Sequence, residues 1–115
     1  MKLTMTFRGL DQSESMRAAR LLERGTGRLE RLLEHPLPLR GVVESDGTAR
    51  RVTLTMLFRG DELNARSTGH DLGVVIATAC ERLRTQIVKK RRRRATGRQL
   101  PVTHLVENSG ELAES

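Results

Sequence analysis

Residues 51–67 read RVTLTMLFRGDELNARS. From Arg51 to Arg59 the residues alternate. Val52, Leu54, Met56 and Phe58 fall on one side and Thr53, Thr55 and Arg59 on the other, with Leu57 the one apolar residue on the polar side. A period of two belongs to a strand with one buried face. Gly60 and Asp61 supply a turn, and Glu62 to Ser67 return as a further strand, so the stretch reads as a β-hairpin.

Outward from this hairpin the elements change period. Downstream, Gly69 opens a loop to Asp71, an N-cap for a long helix whose Leu72, Ile76, Ala79, Leu83 and Ile87 recur at spacings of three and four. That helix is expected to run to the arginine cluster Arg91 to Arg94. Upstream, Arg40 to Ser45 reads as a short strand closed by Ser45-Asp46-Gly47. Before it, Pro36 and Pro38 end a helix expected from an N-cap at Ser13, with Glu14 in its first turn, to about Leu33. Lys2 to Arg8 alternates again, with Leu3, Met5 and Phe7 on the inner side. The order strand, helix, three strands, helix predicts an α+β domain, βαβββα, with a four-stranded sheet and both long helices on one face. The opposite sheet face would carry threonines and arginines.

The composition sets the functional class. The chain has 115 residues, enough for one domain, with 37% hydrophobic and 30% charged residues, so the core must be small and well patterned. No run of apolar residues is long enough for a membrane span, and the N-terminus does not read as a secretory signal, which leads us to expect a cytoplasmic protein. The single cysteine, Cys80, excludes an internal disulfide and a cysteine-based zinc cage, and beside the apolar stripe it reads as core packing. His35, His70 and His104 lie far apart, and no phosphate loop or nucleophile motif occurs, so neither an enzyme nor a cofactor is expected. Lys and Arg number 21 against 14 Asp and Glu, a formal charge of +7, the footprint of a polyanion partner. All 21 cations fall within 1–98, whereas 99–115 holds three Glu and no Lys or Arg. Residues 1–94 therefore read as a basic domain and 95–115 as a flexible, weakly acidic tail.

Two groups of cations are candidates for the contact. In the first helix Arg17, Arg20, Arg24, Arg28 and Arg31 fall within an arc of roughly 80° at about 100° per residue, opposite Leu22, Thr26, Leu29 and Leu33. Like charges at such spacing repel, which argues for a use beyond solvation. In the second helix Lys89, Lys90, Arg91, Arg92, Arg93 and Arg94 form an unbroken run, with Arg82, Lys89 and Arg93 sharing one face. Part of this run complements the helix dipole, and six consecutive cations exceed that need. With no Trp, no Tyr and only Phe7 and Phe58, both inward, the chain has no platform for base stacking; arginines without aromatics suit phosphate contacts on folded RNA. A general structured-RNA or DNA module, and a protein-interaction domain using the threonine and arginine face of the sheet, are the competing readings.

With these elements placed, the sequence resembles the ribosome hibernation promoting factor and ribosome-associated inhibitor family, once called sigma-54 modulation proteins. The likeness spans about the first ninety residues. It is carried most specifically by Asp71, Ile76, Arg82-Leu83 and Gln86-Ile87, and more weakly by Ser13 with Met16-Arg17, Leu29-Glu30-Arg31, and Gly60 with Ala65. Gly73 stands where the family usually has an aromatic, and Gly25 and Gly27 interrupt a first helix usually richer in Lys; they lead us to expect a bent or frayed helix. The resemblance implies a ribosome-binding translation inhibitor of the short form. Such a protein occupies the messenger and transfer RNA channel of the small subunit under stress, needs no cofactor, and is monomeric off the ribosome. It places the RNA contacts on Arg17, Arg20, Arg24, Arg28 and Arg31 and on Arg82, Lys89, Lys90 and Arg91 to Arg94.

Overall fold

A computed structural model describes residues 2–34 and 36–99, with side chains as far as Arg92. The chain runs β1 (Lys2–Arg8), α1 (Gln12–Gly27), a single 3-10 turn (Leu29–Leu32), β2 (Pro38–Asp46), β3 (Ala49–Phe58), β4 (Asp61–Gly69) and α2 (Leu72–Gln99). The four strands form one sheet in the order β1-β2-β3-β4. β1 pairs parallel to β2, as the α1 crossover between them requires, and the other two pairs are antiparallel. This is the α+β, βαβββα architecture expected from the alternation.

Register puts the inward residues in rows across one face. Phe7, Val43 and Val52 share one row with the buried hydroxyl residue Ser67, and Leu3, Leu39, Met56 and Leu63 form another. α1 and α2 cover this face. Ala18, Leu22 and Leu29 from the first helical segment, and Leu72, Ile76, Ala79, Leu83 and Ile87 from α2, are all buried in the core. Leu22 seats over Gly41, where a Cβ would stand 3.5 Å from it. A bidentate pair fastens the near end of α1, since Arg50 donates from Nε and Nη2 to the Glu14 carboxylate at 2.6 and 3.1 Å. That bond keeps the Arg50 guanidinium protonated and raises its pKa further.

Element ends differ from the sequence expectation for local reasons. α1 is capped by Asp11, whose Oδ1 accepts from the Glu14 amide at 2.7 Å, so Ser13 lies inside the first turn instead of at the cap. α1 stops at Gly27 and does not reach Leu33. Each interior glycine costs about 1 kcal/mol relative to alanine, and after two of them the chain tightens into the 3-10 turn that tucks Leu29 into the core. The β3–β4 turn is Arg59-Gly60, not Gly60-Asp61. Both have positive φ (52° and 84°), the geometry of the two-residue hairpin that matches strand twist. Arg59 is held there by Phe58, with its guanidinium carbon 5.3 Å from the ring centroid. α2 continues past Arg94 to Gln99, passing Gly97 and stopping short of Pro101, the first residue that cannot continue a helix. The remainder of the expected tail, 100–115, lies outside the described residues.

Candidate nucleic-acid interface

The two helices run side by side in the same direction. A side chain at Gly73 would stand 3.9 Å from Arg17 Nη2, a Cβ at Gly25 would stand 2.7 Å from Cys80 Sγ, and Arg91 Nη1 donates to the Leu32 carbonyl at 3.1 Å. These three approaches fall in the same order along both chains. The negative end of the α1 dipole therefore lies beside Arg28, whereas α2 passes that point and carries Lys89 to Arg92 on towards its own end at Gln99.

All five arginines of the first stripe are exposed. Arg17, Arg20 and Arg24 project from α1 itself, Arg28 forms its C-cap, and Arg31 sits on the 3-10 turn. The shortened helix keeps the first four on one line, since Arg28 retains helical dihedrals of −71° and −24°, while Arg31 follows the tighter turn. Thr26, on the opposite side, is buried and donates from its hydroxyl to the Leu22 carbonyl at 2.7 Å, which satisfies it inside the core.

The cations of α2 divide by direction. Arg82 donates to the Arg66 carbonyl, Gln86 donates to the Asn64 carbonyl at 2.7 Å, and Lys90 pairs with Asp61. Positions 82, 86 and 90 are one turn apart, so this flank closes along the outer edge of β4, a way of protecting an edge strand. The Arg82 guanidinium is thus turned toward the sheet edge, while its position stays on the same helix face as positions 89 and 93. Lys90 and Arg91 likewise each hold a contact to the chain itself. Lys89 is half-buried and Arg92 exposed; the side chains of Arg93 and Arg94 lie outside the described residues.

On the other flank of α2 a cleft opens against α1. Its walls include Leu21, Gly25 and Leu29 from the first segment and Ile76, Ala77 and Cys80 from the second, and it encloses about 280 Å3. Arg24 and Arg28 stand on one rim, with Arg84 and Glu81 on the other. Arg84 was not among the sequence candidates. It is exposed, with Nη1 3.8 Å from Glu81 Oε2, and its place four residues after Cys80 is the signal that would have found it. Cys80 is 7% exposed, as its reading as core packing requires, and burial pushes its thiol up to about 11; nearby Arg28 opposes that shift. Among the described residues no group of three or more His, Cys, Asp or Glu could hold a metal ion, and no helix is long and apolar enough to cross a membrane.

A four-stranded mixed sheet in sequential order, with two parallel helices on one face, is a fold that other solved proteins share. One is the N-terminal domain of Protein Y from Thermus thermophilus, at a TM-score of 0.66 and 23% identity over 76% of this chain and 96% of that one. Another is a ribosomal subunit interface protein from Coxiella burnetii, at a TM-score of 0.64 and 21% identity over 79% of this chain and 98% of that one. Both agree with the family resemblance read from the sequence, and at these identities the likeness is one of fold. No family model matches the chain, and no curated protein matches it.

Proposed function

We propose that the protein binds the ribosome and holds it inactive, by laying the α1–α2 face against ribosomal RNA in the small-subunit channel for messenger and transfer RNA. One observation supports this reading above others. On a fold shared with a ribosomal subunit interface protein, Arg17, Arg20, Arg24, Arg28 and Arg84 point outward from one helix pair. With no aromatic platform on that face, the contacts are to phosphates and to RNA shape. The binding unit is the basic domain through Arg94, with the acidic residues Glu107, Glu111 and Glu114 following it. The protein works in the cytoplasm, as a monomer off the ribosome, in response to stress.

A sucrose-gradient profile of stationary-phase lysate tests the reading. The protein should travel with fractions that contain the small subunit, and Arg20→Glu/Arg24→Glu/Arg28→Glu should remain at the top. Equal affinity for unrelated RNA hairpins and for ribosomes would replace it with a general RNA-binding module. A complex that survives nuclease would replace it with a protein partner.

A further inference from the structure

The cleft between α1 and α2 is not needed for a contact made only to phosphates. The helices touch where Gly25 lies against Cys80, and the small residues Gly73 and Ala77 leave room beside that contact. The cleft's accessible apolar lining is Leu21 and Ala77, over the buried Leu29 and Ile76, and its rim is charged. Its volume of about 280 Å3 falls at the lower limit of small-ligand sites, about 300–1,000 Å3, which suits a single heterocycle.

We propose that this cleft binds one nucleotide unit, with the base in the apolar slot and the phosphate on the guanidiniums of Arg24, Arg28 and Arg84. The chemistry of the rim selects that ligand. Three guanidiniums favour a phosphate by charge and by their forked donors. Glu81 is the carboxylate of the lining, and its contact to Arg84 at 3.8 Å is loose enough to be exchanged. A carboxylate there accepts from a base edge that carries adjacent N–H donors, so guanine is preferred over uracil. The nucleotide comes either from an unpaired residue of RNA or from the free pool. The first source rests on the reading of this face as an RNA contact.

The test is a titration of the intact protein followed by amide resonances of Gly25, Gly73 and Ala77. Guanosine monophosphate should shift all three, uridine monophosphate should shift them less, and guanosine or inorganic phosphate alone should leave them nearly in place. Ala77→Leu fills the slot at an exposed helix position and leaves every charge intact; it should abolish the shifts. Arg84→Gln should weaken them without touching the slot. No shift with guanosine monophosphate, equal shifts with inorganic phosphate or with uridine monophosphate, or full shifts in Ala77→Leu would each overturn the proposal. A short oligonucleotide with one unpaired guanosine that binds more tightly than the mononucleotide assigns the site to RNA, and the reverse order assigns it to the free nucleotide. Co-sedimentation of the unaltered protein with ribosomes is read separately. Its failure would sink the ribosomal reading, whereas unshifted amides in a protein that still co-sediments would sink the cleft alone.

Discussion

Gly25 is the position where packing and propensity oppose each other most directly. Gly25→Ala would place a methyl group 2.7 Å from the Cys80 sulfur, closer than such atoms approach in packed structures. To accommodate it, either α1 must move off α2 or the buried thiol must turn into another rotamer. Overpacking of this kind costs about 1–3 kcal/mol. Alanine also gains about 1 kcal/mol over glycine inside a helix. The net single-mutant effect is then a loss of about 0–2 kcal/mol. In a Cys80→Ala background the sulfur is gone, and the next atom, Cys80 Cβ, stands at 3.6 Å, an ordinary contact. There Gly25→Ala should stabilise by up to about 1 kcal/mol. The two changes should therefore couple by about 1–3 kcal/mol in a double-mutant cycle. Urea unfolding of the four proteins, with a constant dependence on denaturant, measures this. Additive effects within about 0.5 kcal/mol would refute the view that α1 is glycine-bearing because α2 approaches it at Cys80.

Cys80→Ala alone should cost roughly 1 kcal/mol, checked by urea unfolding. Because burial raises the thiol from 9.0 to about 11, alkylation of Cys80 should be slow at neutral pH. The sign for stability follows: the contribution of the neutral thiol is complete below pH 9.0 and is lost as pH rises through about 11, so melting curves should decline across that window. Arg20→Glu/Arg24→Glu/Arg28→Glu should abolish ribosome association with native circular dichroism, since all three side chains are exposed; unchanged co-sedimentation would remove the stripe from the mechanism. Binding should fade steeply with salt, by about 0.7–0.9 in log affinity per phosphate contact, so six contacts predict a slope steeper than about −4. Joint neutralisation of Arg91 to Arg94 should flatten that slope, and a nearly flat affinity would make the basic surfaces incidental.

The strand and helix order was legible because its signals are local. Val52, Leu54, Met56 and Phe58 bury one face of β3, and Leu72, Ile76, Ala79, Leu83 and Ile87 bury one stripe of α2, as their periods require. The ends were less legible because competing signals sit within a few residues. Asp11 and Ser13 both offer a capping oxygen, and the backbone bends so that Asp11 supplies it. Gly25 and Gly27 announced a weakened helix, and the structure answers with a stop and a tight turn. At the candidate site, the outward aim of Arg17 to Arg28 followed from α1 alone, since a helix with one buried side exposes the other. The division of α2's cations did not follow from α2 alone. It depends on which flank meets α1 and which meets the open edge of β4, a property of the assembled fold.

That division changes what the charge count means. Arg82 and Arg84 are two residues apart, hence about 200° apart around the helix. One is turned to the β4 carbonyls and the other to the cleft. A substitution at Arg82 or Lys90 therefore removes a contact between α2 and the sheet edge together with a surface charge, so binding by such a variant is read alongside its stability. A substitution at Arg20 or Arg84 leaves the core untouched and reports on the surface itself. Net charge alone does not say which cations can meet a partner; the direction of each guanidinium does. Of the α2 cations with described side chains, Arg84 is the one that joins the α1 arginines around a common cleft.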